Sequence, residues 1–544
     1  MNLVRSTPAS TRTMNLAHIL THNARRLPDR VAFVTGEAVH TWADVDARVS
    51  AMASVLASRG AGVGSTILVH SRNSDEMFES MFAAFRLGAI WVPTNVRLMP
   101  DEVAFMAEKA GSDIFLCQAD YPEHAAAVCR ARPQAQVLWM SGAKAPVDSR
   151  PRLVELVAVK RGVAVPNAPV DRDTPCWYFF TSGTTGKPKA AILTHGQMAF
   201  VVTNHLADLL PGTDESDGAL VIAPLSHGAG VHQLILAARG AKAVLVSPER
   251  FSAEQAFALI EQHRLTSMFT VPTILKMLVE HPSVDARDHS CLRYVIYAGA
   301  PMYEVDKQRA LEKLGCVLVQ YYGLGEVTGN ISVLPARDHA PGVTARPGTC
   351  GFERTGIEVS VQDDAGNELP AGETGEICVI GPAVFPGYLD DPDANARAFR
   401  DGWFRTGDMG HMAGDGYIYL TGRVSDMYIS GGSNIYPREL EEKILTHGEI
   451  SEVAVLGVPD PQWGEVGIAV CVRSAGSTLD ETGLLAWMGT RIARYKIPKR
   501  VIFWEELPKS GYGKVPKRLV RDELVRRGIV GNAGTASTAL HATR

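Results

Sequence analysis

Between Trp177 and His195 an aromatic, strand-like run passes into Thr181-Ser182-Gly183-Thr184-Thr185-Gly186-Lys187-Pro188-Lys189 and leaves through the apolar residues Ala190 to Leu193. Glycines let backbone amides approach a polyphosphate, hydroxyls donate to its oxygens, and the lysines offset its charge. The loop is suited to ATP. It is not a Walker A loop, because Thr181 stands where the first glycine belongs and Lys187 is followed by proline. The chain leaves it as a strand, and a helix starts at Thr194 with Gln197 three residues on, a capping-box pattern. Strand-loop-strand differs from the strand-loop-helix of kinases and GTPases. A polar hairpin is the bland reading of such a loop, so its company decides.

That company consists of Ala223-Pro-Leu-Ser-His227-Gly, Gln320-Tyr-Tyr322-Gly323-Leu-Gly325-Glu326, Gly402-Trp-Phe-Arg-Thr406-Gly407-Asp408, Gly422-Arg423-Val-Ser425-Asp426 through Gly431-Gly432-Ser-Asn434-Ile-Tyr-Pro437, and Pro508-Lys-Ser-Gly-Tyr-Gly513-Lys514-Val. In order and spacing these segments resemble the adenylate-forming superfamily, which holds acyl- and aryl-CoA synthetases, adenylation domains of peptide synthetases and firefly-type luciferases. The resemblance covers roughly residues 14 to 527. It implies an AMP-forming acyl-CoA synthetase that uses ATP, Mg²⁺ and coenzyme A.

Residue roles follow from that resemblance. Ser182, Gly183, Thr184, Thr185, Gly186 and Lys187 would cradle the phosphates. Tyr322 would stack on adenine, with Gly299, Ala300, Gln320, Tyr321 and Gly323 around it, since an aromatic face is a platform for a flat base. Glu326 would hold Mg²⁺ together with the Thr181 hydroxyl, hard oxygen ligands for a hard ion. Asp408 would accept the ribose hydroxyls and Arg423 would add a donor. Lys514 would steady the charge that moves onto the α-phosphate as a carboxylate displaces pyrophosphate. Read alone, each of these residues is ordinary surface chemistry: a lysine in a Gly-rich turn, a solvated glutamate, a turn aspartate.

The second half-reaction needs a thiol at the carbonyl that Lys514 guards, so the resemblance implies a small domain that rotates about Ser425 and presents Gly431 and Gly432 to pantetheine. Gly325 departs from the family, which places Thr beside the metal-binding Glu. A hydroxyl is lost there; Thr328 or a water is expected to replace it, or the freed volume serves the acyl group. Ser425 is a smaller departure at the hinge.

An acyl pocket is expected from His227, Gly228, Ala229, Gly299, Tyr321, Gly323 and Thr328, with Phe200 and Phe269 as walls and His227 as a gate. Its small residues leave room for a medium-chain, alicyclic or aromatic acid. No basic residue is placed to read a second carboxylate, so dicarboxylates rank lower. Three other readings use the same motifs: a peptide-synthetase module, against which the chain shows no carrier domain; an acyl-AMP ligase that loads a carrier protein; and a catalytically inactive nucleotide-binding regulator, against which Glu326, Asp408, Arg423 and Lys514 are all retained.

The elements that must position these residues read as α/β layers. Leu220 to Ala223, Ala243 to Val246, Ser267 to Val271 and Tyr294 to Tyr297 are strand-like, and Ala253 to His263 has the spacing of a helix that covers a sheet. Gly-rich turns at Gly372 to Ile380 and Gly414 to Leu420 predict a β-rich subdomain closing the large domain at residue 421. After a hinge over 422–427, a small α+β domain spans 428–527, with a helix from Pro437, a strand at Val453 to Val458, a helix at Thr482 to Ala493 and a strand at Arg500 to Trp504. The fold class is thus α/β: a large N-terminal ATP- and acyl-binding domain over 14–421 and a small mobile C-terminal domain. Residues 1–13 and 528–544 read as disordered extensions, and a second Met-Asn-Leu at Met14 marks an alternative start.

Composition bounds the rest. With 544 residues, 46% apolar and 21% charged, the chain is of multidomain size, and no stretch approaches the roughly 20 apolar residues of a membrane span. A net charge of −5 offers no general attraction for nucleic acid. Cys117, Cys129, Cys176, Cys291, Cys316, Cys350, Cys378 and Cys471 are scattered without a C-x-x-C pair, which suits buried thiols in a reducing cytoplasm rather than zinc or disulfides. A homodimer is left open.

Overall fold

The computed structural model describes residues 14–181, 188–246, 252–300, 302–339, 346–423, 426–430, 433–509 and 515–530. Three sheets organise it. The first has six strands, in the order Gln136–Met140, Ile114–Gln118, Thr66–His70, Ile90–Pro93, Pro175–Thr181 and Lys189–Thr194. Its neighbours run parallel except the last pair, which is the antiparallel hairpin around the phosphate loop. Thr66–His70, Ile90–Pro93 and Ile114–Gln118 are buried at every position, as strands covered on both faces must be.

The second sheet has 14 strands. Its parallel centre holds Gly218–Val221, which starts two residues before the expected Leu220 run, Ser267–Thr270 and Tyr294–Tyr297 as expected, and Leu318–Tyr322, which is not among the expected strands. The β-rich segment after residue 349 is hydrogen-bonded onto this sheet, because Ser332–Leu334 pairs with both Leu318–Tyr322 and Thr349–Glu353. One sheet therefore carries the Tyr322 strand and the Asp408 strand. The strand Tyr417–Arg423 runs through the expected boundary at residue 421 and ends on Arg423.

Helices cover both sheets. His195–Asp208 starts where expected, Thr194 accepting from the Gln197 amide, but the reciprocal half of the capping box is absent. The Gln197 side chain instead donates to the Ala383 carbonyl at 2.8 Å, a partner far along the chain that the local pattern could not show. Ala253–His263 has the expected bounds.

The C-terminal part has its own five-stranded sheet and two apolar cores. Its helix Pro437–Leu445 opens with proline at the first helical positions, where the missing N–H costs nothing. The helix expected over Thr482 to Ala493 is shorter, Glu481–Gly489, and gives way to a 3-10 turn at Arg494–Lys496. Of the eight cysteines, all free, five are buried, Cys129 and Cys291 are partly so, and Cys316 is exposed, against the expectation of uniformly buried thiols. No helix among the described residues is long and apolar enough to cross a membrane.

Candidate active site

Strand pairing brings the nucleotide-side residues together. Asp408 lies directly opposite Arg423 on the strands Trp403–Met412 and Tyr417–Arg423. Arg423 Nε donates to Asp408 Oδ1 at 3.0 Å, and the Tyr322 hydroxyl donates to Oδ2 at 2.7 Å. Asp408 is buried, so both carboxylate oxygens are held by charge-assisted or short hydrogen bonds in a sheltered place. The carboxylate raises the Arg423 pKa; burial and then Asp408 raise that of Tyr322 well above the ordinary phenol. On the same strand Gln320 lies opposite Tyr297, whose hydroxyl is 3.0 Å from the Gln320 side chain and 2.9 Å from His339 Nε2. Gly299 and Ala300 follow the Tyr294–Tyr297 strand at its end beside these residues.

Glu326 sits in a 3-10 turn, Gly325–Val327, and is buried. Its Oε1 accepts from the Thr181 hydroxyl at 3.0 Å and from the Tyr388 hydroxyl at 2.9 Å. Among the described residues nothing bonds Oε2. One anchored carboxylate beside a threonine hydroxyl fits Mg²⁺, which takes one or two protein oxygens and fills its octahedron with water and phosphate. No group of three or more His, Cys, Asp or Glu residues that could form an all-protein metal cage occurs among the described residues. Tyr388 went unnoticed in the sequence, where Gly387-Tyr388 reads as an ordinary turn; its ring also carries the Lys189 ammonium at 5.0 Å.

The glycine at 325 has a steric cause. A Cβ there would lie 2.7 Å from the Phe179 ring and 3.0 Å from Thr181 Cγ2. Phe179 fills the volume that the family's threonine takes, so the space is not free for an acyl group as expected. Thr328, the expected replacement hydroxyl, turns to the Gln197 amide at 3.4 Å. Phe179 packs against the His227 ring, centroids 4.5 Å apart.

On the acyl side His227 precedes the helix Gly228–Arg239. A Cβ on Gly228 would come within 2.9 Å of the Phe269 ring and 3.8 Å of the Tyr321 hydroxyl, so glycine there lets the helix start pack directly on Phe269. Phe269 and Tyr321 are nearly coplanar in tilt, 17° apart with centroids at 6.0 Å. His232, one turn after Gly228, stacks on Phe269 at 4.2 Å and 16°. Gly323 and Gly329 pack backbone to backbone, and a Cβ on Gly329 would strike the Tyr321 ring at 2.4 Å. Ala229 is buried beneath this wall, and Phe200 packs at Gly356. Tyr321 thus stands with Phe269 and His232, away from the Tyr322 bond to Asp408.

Ser182, Gly183, Thr184, Thr185, Gly186, Lys187, Ser425, Gly431, Gly432 and Lys514 lie outside the described residues. What can be seen of the C-terminal part is its helix Pro437–Leu445, which faces Met302, Tyr303 and Pro347 to Thr349 across a cavity of about 310 Å³ that Gln320 also lines.

Known proteins share this arrangement. The profile of the AMP-binding enzyme family matches residues 20–389, and that of the AMP-binding enzyme C-terminal domain matches 439–514. A feruloyl-CoA synthase from an Amycolatopsis species is 36% identical over 92% of this chain and 96% of its own. An indoleacetate–CoA ligase from Aromatoleum aromaticum is 35% identical over 94% of this chain and 99% of its own. Among solved structures, ATP-bound MatB from Rhodopseudomonas palustris superposes with a TM-score of 0.83 at 29% identity, over 94% of this chain and 99% of that one.

Proposed function

We infer, from the premise that this chain belongs to the AMP-binding enzyme family and is an adenylate-forming acyl-CoA ligase, that one pocket between its domains runs two half-reactions on a medium-sized, flat carboxylic acid. A carboxylate is a poor electrophile because its leaving group would be oxide. Attack of its oxygen on the α-phosphate of ATP forms a C–O–P mixed anhydride and breaks the bond to pyrophosphate. The coenzyme A thiol then takes the acyl group and AMP leaves.

In our reading Tyr322, Gln320, Gly299, Ala300 and Gly323 receive adenine, while Asp408 and Arg423 receive the ribose. Tyr322 is fixed by its hydroxyl bond to Asp408, so its ring waits in place for the base. Glu326, pinned by Thr181 and Tyr388, and the Thr181 hydroxyl would hold Mg²⁺. When bound, that ion offsets charge on the departing pyrophosphate. Residues 182 to 187 cradle the phosphates, and Lys514 supplies an ammonium at the α-phosphate, worth most where charge develops. Rotation at residues 422–427 then withdraws Lys514 and brings Gly431 and Gly432 to the pantetheine arm. His227, held against Phe179, gates the carboxylate. The domain limits proposed are 14–421, 422–427 and 428–527, and eight unpaired cysteines favour work in the reducing cytoplasm.

The observation that carries this reading is the Tyr322–Asp408–Arg423 triad beside the anchored Glu326, both on elements of one sheet region. Phe269, near-parallel to Tyr321 on one side and to His232 on the other, favours a flat acid, and the relatives named for feruloyl and indoleacetate thioesters point the same way. The test is pyrophosphate release over a panel of aryl, alicyclic and alkanoic acids, with thioester formed on free coenzyme A compared with a phosphopantetheinylated carrier. Carboxylate-dependent pyrophosphate with acyl-CoA as product is expected. Release of ADP would overturn the reading in favour of γ-phosphoryl chemistry, and release of nothing in favour of an inactive nucleotide binder; transfer only to the carrier would make the chain a carrier-loading ligase.

A further inference from the structure

Directly behind the flat wall lies a set of buried polar groups whose hydrogen-bonding capacity is not used. Arg354 is 1% exposed. Its Nε reaches Asp208 Oδ2 only at 3.4 Å and its Nη1 the Gly329 carbonyl at 3.3 Å, while Nη2 has no partner among the described residues. His205 and His232, also buried, stand 5.2 Å apart, and the Nε2 of each is likewise unpartnered among the described residues. His205 Nδ1 bonds the Val201 carbonyl at 3.0 Å and must donate there, so in the neutral ring its Nε2 is an acceptor. Asn330 favours the charged form of His205, yet its Oδ1 stops short of hydrogen-bond geometry. Burial and the nearby Arg354 guanidinium both oppose a second positive charge, and His232 is pushed down to about 3. The set is one guanidinium donor among neutral imidazoles.

Native interiors pair nearly all their buried polar atoms, so four open ends in one place ask for a missing group. Position says which. His232 stacks on Phe269, and both His205 and His232 lie 5.8 Å from the Tyr321 ring, so the set adjoins the wall those two rings form beside Gly228. His227 caps the helix that carries His232, so the expected carboxylate gate and the open set belong to the same helix start. Ala229, His232, Gln233, Ser267 and Phe269 also line a pocket with room of about 10 Å³, the size of a single oxygen.

We propose that the acid is a hydroxyaryl carboxylic acid, its ring laid along Phe269 and Tyr321 and its distal hydroxyl received by Arg354 and His232, which are specificity-determining residues. Arg354 donates to the hydroxyl oxygen, and a neutral imidazole accepts its proton. This assignment rests on the acid-activating reading above. It is compatible with the expectation that no basic residue is placed to read a second carboxylate: Arg354 already leans on Asp208, and the pocket beside His232 has room for one oxygen rather than a carboxylate.

The experiment is kcat/KM for pyrophosphate release by the full chain with 4-hydroxy, 4-methyl, unsubstituted and 4-carboxy members of the benzoate and cinnamate series. A site built to bond a hydroxyl rejects the analogue lacking it strongly. The hydroxy acids should exceed their methyl isosteres by about tenfold or more. In Arg354→Met and His232→Phe that ratio should collapse toward one, and Arg354→Lys should restore part of it. Because those variants can fail to fold, the wild-type ratio is decisive by itself. Equal rates for hydroxy and methyl acids, as expected if the open ends merely hold buried water, would overturn the proposal, as would preference for the 4-carboxy acids or activity confined to alkanoic acids. Each of those outcomes leaves acid activation standing; no pyrophosphate from any acid would instead sink the reading on which the proposal rests.

Discussion

Tyr321 and Tyr322 are neighbours on one strand, and the strand's alternation sends them to two polar clusters built on opposite plans. On the Tyr322 side both oxygens of the buried carboxylate are engaged: Asp408 takes the tyrosine hydroxyl at 2.7 Å and the Arg423 guanidinium at 3.0 Å. On the Tyr321 side Arg354, His205, His232 and Asn330 all keep an open end. A satisfied cluster is rigid before any ligand arrives, which suits a nucleotide that every cycle brings in the same form. An unsatisfied one is costly to keep and so is best explained by the ligand that completes it. The difference teaches where to look for substrate identity: in the polar atoms the fold leaves unpaired.

The largest expected effect belongs to neither cluster and sets the scale for both. Lys514→Ala should lower adenylation by about 10²–10³-fold while largely sparing thioester formation from supplied acyl-AMP. Equal loss of both half-reactions in a folded variant would contradict the two-conformation mechanism. Asp408→Ala comes next, since it unpairs Tyr322 and Arg423 together; the KM for ATP should rise about tenfold to a hundredfold, with little change in the ranking of acids. A changed acid ranking would erase the separation between the clusters.

Gly325→Thr tests the seam between the two regions. The added side chain meets Phe179 at a distance no Cβ tolerates, so stability should fall by about 1–3 kcal/mol, read as a lower melting temperature, and adenylation with it. Adding Phe179→Val should recover both, because the two positions share one volume. If the double variant is no better than the single, Phe179 is not the cause of the glycine.

The smallest effect is in acid. His205, His232, His195 and His70 are held below the ordinary imidazole pKa by burial, His232 and His70 to about 3 and His195 to about 4. The unfolded chain takes up protons near the ordinary value of 6.5 while the folded chain does not. Their neutral burial is therefore fully tolerated above that pH, and stability drops as the pH falls below it, by up to about 1.4 kcal/mol per pH unit for each group. The melting temperature should decline across that window, and less steeply in His232→Phe. A slope unchanged by that substitution would mean that His232 titrates normally.

Much of this protein was open to reading along the chain. Tyr294–Tyr297 and Ala253–His263 have the bounds their apolar patterns imply, since local periodicity reports which face is buried. Of the motif residues, Thr181 bonds Glu326, and Tyr322 and Arg423 both bond Asp408, contacts between segments that the chain order alone does not join. Tyr388, Phe179 and Arg354 gave no signal. Each matters through one partner far away in sequence, and a tyrosine after glycine, a phenylalanine in a strand and an arginine after glutamate are unremarkable where they stand. The helix predicted through Ala493 overran because nothing local marks Gly489 as the end; packing against the small sheet decides it.

The sequence by itself determined the class of chemistry, because activating a carboxylate with ATP demands particular side-chain types in a fixed order, and order is what a sequence records. Only the tertiary structure decided why residue 325 is glycine, what anchors Glu326 and which buried donors stay unpaired. Occupied volume and hydrogen-bond geometry are properties of contacts between distant segments, and they exist only once the sheets have closed.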